Sequence, residues 1–121
     1  ELKHGPSGAI IATDAPKDNN GKGEAFSPTD LVSIATGSCM MTVIAIQAEK
    51  ESISIEGSHM TVQKDMQTTP RKISRITVEL HLPQQISAPF RKKFEEAALS
   101  CPVKKSLNPD IDVPVSFIYD V

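Results

Sequence analysis

The longest apolar stretch of the chain runs over residues 31–48 and contains no charged side chain. A helix-start pattern precedes it: Ser27 can act as the N-cap, Pro28 suits the first helical position and Asp30 can complete a capping box. The few polar residues of the stretch are scattered around the helix. The pattern therefore predicts a helix, ending near Lys50, that is apolar on nearly every side. Such a helix is either buried in a core or spans a membrane.

Alternating apolar and polar residues predict strands on both sides of this helix. A short apolar run at 9–13 follows a turn containing Gly and Pro, which predicts a hairpin whose first strand begins at or before Glu1. Residues 14–24 are polar and rich in Gly and Asn, as is typical of a loop. Residues 53–66 alternate with a change of face at Gly57, which predicts a bulge, and residues 75–82 alternate without interruption. These last two segments predict a second hairpin.

A second helix is predicted after Ser87. Its apolar face comprises Phe90, Phe94, Ala97, Ala98 and Cys101. Pro102 interrupts it, and residues 111–119 alternate as a last strand in which Pro114 indicates an edge or a bulge. The whole order predicts a single α+β domain over residues 1–121, with two long helices on one side of a mainly antiparallel sheet.

Length and charge limit the partners that the chain can have. A domain of 121 residues cannot easily surround an all-apolar helix, so a partner subunit is expected to help bury it. The net charge of −2 and the 4% aromatic content give no reason to expect a nucleic acid. The apolar stretch carries several hydroxyl side chains and lacks flanking basic residues on its N-terminal side, which disfavours the membrane interpretation. With no visible signal peptide and no disulfide-type cysteine spacing, the sequence predicts a cytoplasmic protein.

Two cysteines are the strongest candidates for chemistry. Cys39 lies in the middle of the first helix and Cys101 lies where the second helix breaks, so packing of the two apolar faces could bring the thiols together. The simpler interpretation is that both are structural core residues, because free cysteine is among the most buried residue types. Since Pro102 suits a first helical position, Cys101 can cap a further helix, where the helix dipole with Lys104 and Lys105 would favour a thiolate.

Other site types are not supported by the sequence. His4, His59 and His81 lack metal-ligand spacing, so neither a metal nor another cofactor is expected. The Gly5-Pro-Ser-Gly8 segment has the outline of a nucleic-acid-binding GXXG loop. It precedes a strand instead of lying between helices beside a basic groove, so this interpretation is rejected.

Two separated motifs resemble the OsmC/Ohr family. They are Ser27-Pro-Thr-Asp-Leu31 with Gly37-Ser-Cys-Met40, and later Glu95-Glu-Ala-Ala-Leu-Ser-Cys-Pro-Val103. The resemblance extends from about residue 8 to the last strand. It implies an OsmC-like fold in an intertwined homodimer, in which the apolar helices pack centrally and the N-terminal strands swap.

The same resemblance implies a thiol-dependent reductase of organic hydroperoxides. Cys39 matches the peroxidatic cysteine, which becomes a sulfenic acid, and Cys101 matches the resolving cysteine, which forms a disulfide with it. An external dithiol then reduces the disulfide. The apolar side chains expected around such a site are Met40, Met41, Phe90 and Phe94.

The chain departs from the family pattern around the first cysteine. Family peroxidases carry an activating Arg on the N-terminal hairpin and a Glu that orients it, but residues 1–24 contain no Arg and the Glu position holds Thr29. Lys3, His4 and Arg71 are the alternative cations, none with motif support. Two further hypotheses therefore stay open. One is a non-catalytic domain that binds small apolar or electrophilic molecules or senses oxidants through a reversible disulfide. The other is a structural dimer with inert cysteines.

Overall fold

A computed structural model describes all 121 residues of the chain. The backbone forms two compact units, Glu1–Val32 and Ser33–Val121. The long helix α1, Pro28–Lys50, runs through the boundary between them. That the whole chain behaves as a single domain stays a prediction.

The first unit contains a small antiparallel hairpin. Strand β1, Leu2–Lys3, pairs with β2, Ile10–Ile11, and Gly8 in the connecting turn has a positive φ of 74°. Glycine tolerates this left-handed conformation because it has no Cβ. A short 3-10 helix, Lys17–Asn19, lies in the polar loop that follows. The predicted N-terminal hairpin and loop are both observed.

Helix α1 begins with the predicted capping box. The Asp30 N–H donates to Ser27 Oγ at 3.1 Å, and the Ser27 N–H donates to Asp30 Oδ2 at 2.9 Å. Two of the N–H groups that a helix start leaves unpaired are satisfied in this way. By length and composition alone α1 could cross a membrane, but the core helix of a soluble protein meets the same two criteria.

The second unit contains a three-stranded sheet in the order β3-β4-β5. Strands β3, His59–Thr68, and β4, Arg71–His81, form the predicted antiparallel hairpin, while β5, Val115–Ile118, runs parallel to β4 at the edge. The predicted bulge at Gly57 is wrong. Gly57 lies in a turn before β3 with φ of 84°, and the register shift occurs at Asp65/Met66.

Two further helices lie between β4 and β5. They are α2, Ala88–Leu99, and α3, Pro102–Ser106. Their insertion allows β5 to return parallel to β4, because parallel neighbours need a long crossover and antiparallel ones only a short turn. The fold is α+β with mostly antiparallel pairing, as predicted, and the parallel β4–β5 pair is the departure from the pattern.

The core of the second unit lies between the inner face of β4 and the helices. The inward-facing residues of β4 and the segment after it are all fully buried: Ile76, Val78, Leu80 and Leu82. Gly37 of α1 permits close packing onto this sheet, since a Cβ placed there would lie 2.7 Å from Val62 Cγ2 and 2.9 Å from Met60 Sδ. The remaining surface of α1 is less well covered, and Ile46 is 47% exposed.

Candidate functional site

Cys39 and Cys101, distant in the sequence, meet in the second unit. Cys39 lies in the middle of α1 and is partly buried, whereas Cys101 follows α2 and is fully buried. Both are free thiols, and they lie close enough for Cys39 to affect the ionisation of Cys101. The structure therefore brings together the two residues singled out from the sequence. Their catalytic role stays a prediction.

Cys101 is held in place by helix α3. Its backbone is extended, Pro102 occupies the first turn of the helix, and the Lys104 N–H donates to Cys101 Sγ at 3.4 Å. A sulfur atom thus takes the position that a serine or aspartate oxygen usually holds at a helix start. The cap predicted from the Cys101-Pro102 pair is confirmed.

Several opposing effects act on the ionisation of Cys101. Burial has the largest effect and raises the pKa of the thiol, while the hydrogen bond from the Lys104 N–H lowers it. The neighbouring Cys39, through its charge when ionised, raises the pKa further, and the positive charge of Lys104 lowers it by the smallest of these effects. The net result is a raised pKa, so Cys101 is a neutral thiol at neutral pH.

The thiol pair belongs to the apolar core of the second unit, and Phe90 is the expected residue that lies farthest from Cys101 along α2. Met40 and Phe94 are fully buried in the same cluster as Cys101, and Met41 packs against it. Phe90 lies near the other end of α2, roughly 16 Å along the helix from Cys101 at 1.5 Å per residue. It lines a separate cleft of about 340 Å³ with Ile53 and Ile86.

The three alternative cations occupy different places. Lys3 and His4 belong to the first unit, where His4 Nδ1 is hydrogen-bonded to Ser7 Oγ at 2.6 Å. Arg71 begins β4 at the tip of the hairpin. It is roughly 23 Å along the strand from Val78, which lies beneath Gly37. Arg71 of the same chain therefore does not lie beside Cys39, two residues beyond Gly37.

Two polar clusters of the second unit were not anticipated. Tyr119 Oη donates to Glu95 Oε1 at 3.0 Å, and the Arg91 guanidinium lies 3.9 Å from the centre of the Tyr119 ring. The rings of His59 and His81 stack with centroids 4.5 Å apart. Each cluster joins residues that are far apart in the sequence, so no local sequence pattern indicates either cluster. No group of three or more potential metal ligands is present.

The fold and the thiol pair define the chain as a small α+β domain with two adjacent free cysteines. Comparison with known families gives its class: the family model described as OsmC-like protein matches residues 21–116. Because this match covers most of the chain, the protein belongs to the OsmC-like family. No curated protein sequence gives a significant match.

Solved structures support the same assignment. A Psychrobacter arcticus protein, named for osmotic stress induction and a detoxification response, is 43% identical with a TM-score of 0.90, covering 95% of this chain and 84% of that one. The organic hydroperoxide resistance protein OsmC of Legionella pneumophila is 23% identical with a TM-score of 0.69, covering 93% and 85%. OhrB of Bacillus subtilis is 18% identical with a TM-score of 0.58, covering 77% and 70%. The last two show similarity of fold.

Proposed function

We propose that this protein reduces organic hydroperoxides, with Cys39 as the peroxidatic cysteine and Cys101 as the resolving cysteine. The observation that carries the proposal is the proximity of two free thiols within the apolar core. Membership of a family that includes proteins named for organic hydroperoxide resistance supports the same chemistry.

The proposed cycle has three steps. The Cys39 thiolate attacks the O–O bond of the hydroperoxide, which gives a sulfenic acid and releases the alcohol. The Cys101 sulfur then attacks the Cys39 sulfur, so that a disulfide forms and water leaves. An external dithiol reduces this disulfide by exchange and becomes a disulfide itself. No metal or organic cofactor enters any of these steps.

The difference in burial suits the two cysteines to different roles. Cys39 is partly exposed and can meet an incoming peroxide, whereas Cys101 is fully buried and reaches only its neighbour. The apolar side chains of Met40, Met41 and Phe94 favour a hydroperoxide with an organic substituent over hydrogen peroxide. We place the protein in the cytoplasm, where thiols are kept reduced.

We further propose that the protein acts as a homodimer. Helix α1 is apolar nearly all round, yet Val32 and Ile46 are 41% and 47% exposed in the single chain. A second copy packed against α1 would cover such residues, which is the arrangement that the family resemblance implies.

The proposed activity is tested by mixing the reduced protein with cumene hydroperoxide and dihydrolipoamide and following peroxide consumption. The wild type should turn over repeatedly, Cys39→Ser should be inactive, and Cys101→Ser should form a sulfenic acid without a disulfide. Ser38→Ala, at an exposed neighbouring position of α1, is the matched control and should behave as the wild type. Equal turnover by Cys39→Ser would refute the assignment.

A reversible oxidant sensor is the second candidate. The observation that favours it is the absence of Arg from residues 1–24, together with Thr29 at the position of the family's Glu. A sensor would form the Cys39–Cys101 disulfide after one addition of peroxide but would not sustain turnover with any of a set of dithiols. Sustained turnover would exclude a role limited to sensing.

A further inference from the structure

No carboxylate lies within ion-pair distance of the ammonium group of Lys104, the first lysine after Cys101. Four other cations of the second unit have polar partners: Lys72 with Asp110, Arg75 with Asp112, Lys93 with Glu51, and Arg91 with the carbonyl groups of Gln84 and Ile86. The charge of Lys104 is therefore not neutralised by a partner.

The backbone of Lys104 lies directly beside the sulfur of Cys101. Lys104 lies in the first turn of α3, its N–H contacts Cys101 Sγ at 3.4 Å, and its partly buried side chain lines an open cleft of about 470 Å³. The two carboxylates in the lining of that cleft, Asp110 and Asp112, are the ones already paired with other cations. The charges that act on Cys101 come from Cys39 on α1 and from Lys104 on α3.

We propose that Lys104 is a positioning residue that stabilises the thiolate of Cys101 while it attacks the oxidised Cys39. This inference rests on the proposed function and specifies its second step. The Cys101 thiol gives up its proton, and its sulfur attacks the sulfur of the Cys39 sulfenic acid. The S–S bond forms as the S–O bond breaks, and the leaving hydroxide takes up a proton to become water.

The first test does not depend on peroxide chemistry. In a Cys39→Ser background the only thiol is Cys101, and its ionisation is followed by absorbance at 240 nm against pH. The pKa of the single tyrosine, Tyr119, is raised, so its phenolate does not obscure the thiolate signal. We expect Lys104→Met to move the midpoint to higher pH, and Lys104→Arg to leave it near its original value.

The neighbouring lysine supplies the matched control. Lys105 is exposed and follows Lys104 in the same short helix, so Lys105→Met removes an equal charge that does not contact the pair. The Lys104→Met shift should become smaller in 1 M salt, which reduces the Debye length to about 3 Å. An unmoved midpoint in Lys104→Met, or an equal shift in Lys105→Met, would overturn the proposal.

The second test measures the resolving step itself. After rapid mixing with cumene hydroperoxide at pH 7, Lys104→Met should form the disulfide roughly three- to tenfold more slowly, because the rate follows the thiolate fraction and one pKa unit is a tenfold change in that fraction. Formation of the Cys39 sulfenic acid should be unchanged, and higher pH should restore the disulfide rate.

The outcomes separate the two proposals. If wild-type Cys39 does not react with peroxide, the proposed function fails, while the absorbance titration still decides whether Lys104 acts on Cys101. If Cys39 reacts but Lys104→Met forms the disulfide as fast as the wild type at pH 7, the role of Lys104 is refuted and the proposed function stands.

Discussion

Replacing Gly37 by alanine tests how closely α1 packs against the sheet. In an ordinary helix interior this change stabilises by about 1 kcal/mol, because alanine has the higher helix propensity. Here the new Cβ would lie 2.7 Å from Val62 Cγ2 and 2.9 Å from Met60 Sδ, closer than van der Waals contact allows. Met60 is flexible and can move, but a valine is stiff at χ1 and resists displacement.

The two effects oppose one another, and the steric effect is the larger. Overpacking of a close-packed interior costs about 1–3 kcal/mol. Subtracting the propensity gain leaves a net destabilisation of about 1 kcal/mol, which would lower the melting temperature by about 4 °C for a chain of this size. In urea unfolding, Gly37→Ala should lower the midpoint and leave the m-value unchanged.

A double-mutant cycle with Val62→Ala isolates the cause. Removing Val62 Cγ2 eliminates the closer of the two contacts, so Gly37→Ala should cost less in the Val62→Ala background, or even stabilise. Ser38→Ala, at the adjacent exposed position, is the control and should change stability by no more than about 0.5 kcal/mol. The packing argument is refuted if Gly37→Ala stabilises the wild type, or if its cost is the same in both backgrounds.

Two further predictions concern the alkaline stability of Tyr119 and the exposed face of α1. Burial and Glu95 raise the pKa of Tyr119, so its stabilising contribution is complete below its ordinary pKa near 10 and is lost as the pH rises further. Tyr119→Phe should therefore destabilise by about 1 kcal/mol in urea at neutral pH. This difference should shrink above pH 10, and a pH-independent difference would contradict the reasoning. Ile46→Asp should shift the protein toward monomer in sedimentation velocity whereas Ile46→Leu should not, and unchanged association of Ile46→Asp would exclude this part of α1 from the interface.

Those parts of the fold that depend on local pattern could be predicted from the sequence. The capping box of Ser27 and Asp30 lies within four consecutive residues, and the alternation along β4 reports directly which face is buried. The cap formed by Cys101 was predictable for the same reason, because Pro102 fixes the start of α3.

Features that depend on chain crossing could not be predicted in this way. The parallel direction of β5 results from the passage through α2 and α3, and an alternating pattern is the same in either direction. The contact of Tyr119 with Glu95 joins a residue beyond β5 to α2, and neither residue carries a local signal for it. Phe90 shares the apolar face of α2 with Phe94, and periodicity does not show that Phe90 lines a cleft of its own with Ile53 and Ile86.

The adjacency of the two thiols also orders the proposed steps. While Cys39 is a thiolate, its negative charge raises the pKa of Cys101 and opposes a second ionisation in the same apolar pocket. Conversion of Cys39 to a sulfenic acid gives a neutral group, so this repulsion disappears. The negative charge of Cys39 then no longer counteracts the effect of Lys104 on Cys101. The second thiol thus becomes easier to ionise only after the first has reacted. Under the proposed chemistry, the same proximity that permits the disulfide keeps Cys101 protonated until it is needed.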